Sequence, residues 1–143
     1  MSRMFTLAEA QALLPEVERL LNRAGRCRDR YAEAECEAAE LKRRILVSGG
    51  MHLAPERLAA VRTGREEAAL GLKESLEALA ELGVQVKDLD DGLVDFPTRF
   101  RGAEVLLCWK RGEPGISWWH GTEEGFRGRK RIDRDFLDHH EGA

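Results

Sequence analysis

No stretch of this sequence is apolar for long. The longest such run, Val105-Leu106-Leu107-Cys108-Trp109, is far short of the ~20 residues that span a bilayer, and Glu9 and Gln11 interrupt the N-terminal segment, so it does not read as a secretion signal. Cysteine is scarce, at three in 143 residues with no CxxC pair. Cys27 and Cys36 are nine apart in a predicted helix and so on opposite sides of it. Neither a disulfide framework nor a zinc knuckle is expected, which suits a reducing, cytoplasmic setting. Charge of one sign is also lacking: 23 Lys and Arg stand against 26 Asp and Glu, for a net charge of −3. No polybasic arm or acidic tail drives nonspecific phosphate binding. Aromatics are nearly absent from residues 1–83, which hold only Phe5 and Tyr31. All three Trp and three of the five Phe fall between residues 96 and 126. The chain therefore changes character near Gly83, although its length suits one domain over 1–143.

What fills the first part is Ala, Leu, Glu and Arg in a helical pattern. Thr6 to Glu9 forms a capping box that opens an amphipathic run. Pro15 cannot sit inside a regular helix without losing a hydrogen bond. A short helix over 7–14 is therefore expected, then a bend, with Pro15 in the first turn of a long helix. That helix carries an unbroken 3-4 seam: Val17, Leu20, Ala24, Cys27, Tyr31, Ala34, Ala38, Leu41 and Ile45, the pattern of a coiled-coil face. Gly49-Gly50 ends it, and a loop around 48–54 leads to a second helix from Pro55 to Gly83. On this helix a stripe of mostly small residues (Val61, Gly64, Ala68, Gly71, Ser75, Ala78) accompanies the leucines. Mid-helix Gly costs about 1 kcal/mol relative to Ala, so the stripe implies close approach to the first helix. An antiparallel hairpin over 6–83 results. Leu14, Leu21, Leu46 and Leu53 lie off or beyond the seam, and their apolar surface argues for a homodimer through the helices.

From residue 84 the apolar period becomes two. Val84–Leu89 and Leu93–Phe96 flank the turn Asp90-Asp91-Gly92. Pro97 ends the second strand or places it at an edge. Glu104–Lys110 is apolar on both faces and reads as central, and Ile116–His120 follows the turn at 111–115. The fold class is α+β: a long helical hairpin followed by a small antiparallel sheet of about four strands over 84–132. Residues 133–143 are expected to fray.

Certain runs resemble a known family. These are Lys87-Asp88-Leu89-Asp90-x-Gly92-Leu93-Val94-Asp95-Phe96-Pro97, Val105-x-Leu107-Cys108-Trp109-x-x-Gly112-Glu113, Trp119-His120 and the opening Phe5-Thr6-Leu7-x-Glu9-Ala10 with Leu13-Leu14-Pro15. Together they resemble the bacterial uncharacterised family known as domain of unknown function 2203, to about Ile132. The resemblance implies no activity, substrate or catalytic residue.

Candidate chemistry lies in the strands. Asp88, Asp95, Arg99, Cys108, Glu113, His120 and Arg129 are the plausible polar constellation of the strand region, with Trp109 and Trp119 as aromatic walls. Alternation puts Asp95, Cys108 and His120 in reach of one sheet face. A divalent metal would use neutral His, thiolate and carboxylate, so Asp95, Cys108 and His120 are the metal candidates. No cofactor is otherwise predicted. Nucleophilic chemistry would instead need His120 to lower the pKa of Cys108. Plainer readings stand beside these. Cys108 is a small buried hydrophobe, His120 a strand-end hydrogen-bonding residue, and Asp95 an acceptor for turn amides. Asp88, Asp90 and Asp91 around Gly92 form an ordinary turn rather than a calcium loop. Residues 99–131 hold eight basic and four acidic residues beside Trp118-Trp119, a composition that single-stranded nucleic acid would accept. With the pI near 5.9, a core Trp, a dimer-contact Trp and a solvated tail are favoured, and nucleic acid and membrane are not expected partners. The leading expectation is a non-enzymatic, self-associating interaction protein with a Trp-rich sheet as binding face. The alternative is a metal- or small-ligand-binding protein, or an enzyme, using Asp95, Cys108, Glu113 and His120.

Overall fold

The computed structural model describes residues 3–49 and 55–141, and Glu141 for its backbone only. Of the loop expected around 48–54, residues 50–54, with Gly50 and Leu53, lie outside the described residues. In chain order the elements are α1 (Leu7–Ser48), α2 (Pro55–Leu82), β1 (Gln85–Asp88), β2 (Leu93–Phe100), β3 (Ala103–Lys110), β4 (Trp118–Gly121), β5 (Lys130–Arg131), α3 (Arg134–His139) and β6 (His140–Glu141). A 3-10 turn at Phe126–Gly128 stands between β4 and β5. This is the expected α+β arrangement of a helix pair followed by an antiparallel sheet. Among the described residues no helix is long and apolar enough to cross a membrane. The chain divides into two compact units, one formed by the chain up to Leu21 and from Leu76 onward, the other by Asn22–Ser75.

The first unit contains the sheet, whose strands run in the order β1-β2-β3-β4-β5, with the two-residue β6 added to β2. The expected count of about four is thus exceeded by two very short strands. Val94, Phe96, Val105, Leu107 and Trp109 form its inner face, packed with Ile116 from the segment before β4 and with Phe5, Ala10, Val17, Leu20, Leu21 and Leu79. The start of α1 is the expected capping box: Glu9 N–H donates to Thr6 Oγ1 at 3.0 Å and Thr6 N–H to Glu9 Oε1 at 2.9 Å. The end of α2 is equally local. Gly83, at φ +94°, lets Val84 N–H reach Leu79 C=O and its own N–H reach Ala80 C=O, the paired bonds of a Schellman cap.

Four expectations in this unit need correction. Pro15 does not break the helix, because α1 is continuous through it. Ala10 before it and Val17, Leu20 and Leu21 after it are buried in the same core, and that packing outweighs the ~3 kcal/mol an interior Pro costs. For the same reason Leu21 is fully buried and Leu14 packs against the core. Neither is left over for a partner. Of the two readings of Pro97, the strand end is overturned while the edge position holds locally: β2 runs to Phe100, and β1 pairs only with residues 93–95. Past that point the β1 side of β2 is free of a long strand. There Pro97 C=O accepts Phe5 N–H at 2.8 Å and the Thr98 hydroxyl donates to Phe5 C=O at 2.6 Å. Finally, the tail does not fray through residue 141. Asp133 caps α3 by accepting Phe136 N–H at 2.9 Å, and Phe136 is fully buried against Phe100, Trp119 and His140. His140 Nε2 accepts Leu7 N–H at 2.8 Å, so the tail is held by both packing and backbone.

The second unit is the pair of helical segments. Ala38, Leu41 and Val61 form its core with Ala34 and Leu58 packed on them, and Ala24, Cys27 and Ala68 are also buried. The ion pairs Arg23–Glu74, Arg65–Glu35 and Arg57–Glu37 link rising numbers on α1 to falling numbers on α2, as in an antiparallel pair. The small stripe has the expected cause at one position. A Cβ on Gly71 would lie 2.6 Å from Cys27 Sγ, whereas one on Gly64 would meet nothing within 4 Å. Tyr31 of the seam is exposed, and Leu46 and Val47 are each 84% exposed.

Candidate functional site

The site begins with strand alternation. In β2 and β3 Asp95 pairs with Cys108, and in β3 and β4 Cys108 pairs with Trp118 and Leu106 with His120. Paired residues share a face, so Asp95, Leu106, Cys108, Trp118 and His120 lie together on the face opposite the core. The donor atoms of Asp95, Cys108 and His120 are all within 4.8 Å of one another, and all three residues are buried. His120 is oriented from both sides. Its Nδ1 is 2.8 Å from Gly121 C=O, and its Nε2 is 3.1 Å from Asp95 Oδ2. A carbonyl only accepts, so Nδ1 carries hydrogen. Nε2 and Oδ2 then share one proton. Asp95 Oδ1 has no hydrogen-bond partner, although Asp95 is only 1% exposed.

This arrangement does not activate the thiol. Burial pushes Cys108 up to about 12, and the neighbouring Asp95 carboxylate pushes it the same way. His120 cannot withdraw the proton because its Nε2 is engaged by Asp95. Near neutral pH Cys108 is therefore held as a thiol rather than a thiolate.

The cover over this face comes from the segment after β4. Asp95, His120, Leu93, Lys87 and Phe126 line a cavity of about 240 Å³. A neighbouring cleft of about 610 Å³ shares Leu93 and Phe126 with it and adds Asp88, Lys110 and Arg127. The segment is pinned by Arg129, whose Nη2 donates to both Glu113 carboxylate oxygens at 2.9 and 2.7 Å. The Arg129 guanidinium lies 4.8 Å from the Trp118 ring centre and 4.5 Å from that of Phe126, a cation held between two rings. Glu113 is itself fixed, since its Oε1 accepts Lys110 N–H at 2.7 Å and its C=O accepts Trp109 Nε1–H at 3.1 Å.

The sequence candidates thus separate into groups. Asp95, Cys108 and His120 converge. Glu113 and Arg129 pair with each other and hold the cover, so Glu113 is not a fourth member of the cluster. Trp109 is buried in the inner-face core, and Trp119 is packed there between Phe100 and Phe136. Arg99 is exposed near the end of β2, at the level of Glu104 rather than of the cluster. Asp88 Oδ1 accepts Asp91 N–H at 3.1 Å, which is turn chemistry. Trp118 and Trp119 face opposite ways, and each has a cation over its ring, Arg129 on one and Lys130 on the other. Sequence reasoning missed Lys87 and Phe126, and Glu124, which also lines the smaller cavity. A lone Phe in a polar, Gly-rich segment just after His120 was the available signal.

A family model described as an uncharacterized conserved protein, DUF2203, matches residues 3–132. No curated protein matches the chain, and no solved structure does.

Proposed function

The chain belongs to the DUF2203 family of uncharacterized conserved proteins, and for this member we propose a binding function: a small ligand held on the outer face of the sheet, over Asp95, Cys108 and His120. The observation that carries it is the state of Asp95. A carboxylate with one oxygen unpartnered and 1% exposure is expensive, because an unsatisfied buried acceptor costs about 1–3 kcal/mol and a charged one more. Apolar residues of similar volume would serve stability as well or better. A group that stability disfavours, at the floor of a cavity, belongs to a site. The protonated Cys108 argues against thiol catalysis, so binding is the function and no covalent step is assigned. The three cysteines are free, which suits a reducing cytoplasm.

Native mass spectrometry of the protein purified without denaturant tests this, with Asp95→Leu alongside. The wild type should carry a bound small species that the variant lacks. An unliganded mass for both, with no stabilisation of the wild type by small carboxylic acids, amines or divalent cations, contradicts it.

A second reading concerns self-association through the helical unit as a coiled-coil homodimer. It is supported by Leu46 and Val47 in the last turns of α1, both 84% exposed, because adjacent exposed apolar side chains favour contact with a partner. Light scattering should give a dimer mass that Leu46→Glu/Val47→Glu reduces to the monomer. A monomer at all concentrations removes this reading.

A further inference from the structure

We propose that Asp95, Cys108 and His120 bind a single divalent metal ion of the zinc class, with one coordination position left open toward the cavity. The inference rests on the binding reading above and names the class of ligand.

Four observations lead to it. One carboxylate oxygen, one thiol sulfur and one imidazole nitrogen approach within 4.8 Å of each other. With metal bonds of about 2.0–2.3 Å, the edges of a tetrahedral zinc site are roughly 3.3–3.8 Å. Side-chain rotation of about an ångström therefore closes the cluster on an ion. Second, His120 donates its Nδ1 hydrogen to Gly121 C=O at 2.8 Å and turns Nε2 into the cluster. A metal-binding imidazole is commonly fixed in this way, its far N–H held by a carbonyl or carboxylate. Third, Asp95 Oδ1 is buried without a partner, and a cation supplies what the protein does not. Fourth, two of the three ligands, Asp95 and His120, line a cavity of about 240 Å³, which leaves room for the further ligand that an open site keeps.

The donor types select the metal. Sulfur and imidazole favour zinc-like ions over magnesium or calcium, which prefer all-oxygen shells. Charge also balances. The metal displaces the Cys108 thiol proton and the proton shared by Asp95 and His120, and both pass to solvent. One thiolate, one carboxylate and one neutral imidazole then meet a 2+ ion, so the buried cluster is neutral overall. Glu113 remains with Arg129 and takes no part.

Cobalt(II) titration of the full chain, in a Cys36→Ser background that removes the exposed thiol, tests the inference. One equivalent should bind with a thiolate-to-cobalt charge-transfer band, and zinc should displace it. Cys108→Ser should abolish the band, and His120→Gln should weaken binding at least about 100-fold, the upper end of what a supporting residue alone costs. A natively folded protein with no charge-transfer band at saturating cobalt overturns the inference, as does a band that survives Cys108→Ser. Where a variant does not fold, cadmium-113 NMR of the Cys36→Ser protein replaces it. A single resonance with the shift of one thiolate ligand supports the site, and its absence contradicts it. A silent cobalt titration with a metal-free organic ligand in native mass spectrometry leaves the binding reading standing and removes only the metal. A silent titration with an unliganded mass removes both.

Discussion

If Asp95 and His120 are kept for binding rather than for stability, removing one should cost far more than removing both. Their side chains are 2% and 3% exposed, and Oδ2 meets Nε2 at 3.1 Å. His120→Leu strands a buried carboxylate that already has Oδ1 unpartnered, and breaking a buried pair in this way costs about 3–5 kcal/mol. Asp95→Leu leaves a neutral imidazole with one unsatisfied nitrogen and Nδ1 still on Gly121, a cheaper orphan at about 1–3 kcal/mol. The double substitution leaves no buried orphan between them, and apolar replacement of a buried pair is often neutral or stabilising by about 1–4 kcal/mol. The double variant should therefore be at least about 2 kcal/mol more stable than His120→Leu alone. All three Trp lie in the sheet unit, at 109, 118 and 119. Urea unfolding followed by Trp fluorescence thus reads this region, while circular dichroism at 222 nm follows the helices. A double variant less stable than either single one would refute the reasoning, since the pair would then be a net source of stability.

The close approach of the helices makes a paired prediction. Gly71→Ala should destabilise by about 1–3 kcal/mol through overpacking on Cys27 Sγ, 2.6 Å from the new Cβ, and Cys27→Ala should recover part of the loss. Gly64→Ala, with open space around its Cβ, should stabilise by about 0.5–1 kcal/mol in thermal melts. Phe136→Ala should cost about 3–5 kcal/mol and shift Trp119 emission to the red. The thiol supplies a pH test. Its folded value of about 12 lies above the ordinary 9.0, so the native state holds that proton longer than the unfolded chain does. The associated stability is complete below pH 9 and is lost as pH rises toward 12, by as much as about 4 kcal/mol. The difference between wild type and Cys108→Val in denaturant midpoints between pH 8 and pH 10.5 should show it, with the wild type losing more.

Much of this molecule was legible because local rules and burial agree. Thr6 and Glu9 form the box their spacing predicts, Gly83 closes α2, and the change to a period of two marks where the sheet begins. Alternation sorted Asp95 and Cys108 within their strands, and the cross-strand register then brought them and His120 to one face. What stayed hidden depended on distant partners. Pro15 is tolerated because residues on both sides of it enter one core, a balance that helix propensity does not contain. The tail is ordered by Phe136, a single apolar residue whose pocket is built by Phe100 and Trp119 from other strands. Glu113 looked like a fourth member of the cluster and instead holds Arg129, sixteen positions away. The state of Cys108 was hidden for a related reason: its spacing to His120 says nothing of Asp95, which occupies the Nε2 that would have activated the thiol.

The most direct test of the metal-binding account is nitrogen-15 NMR of the His120 ring during addition of zinc to one equivalent. The account predicts that Nε2 leaves Asp95 and becomes a metal-bound nitrogen in slow exchange, while Nδ1 keeps its hydrogen on Gly121 C=O. Ring nitrogen signals unchanged at saturating zinc would contradict it.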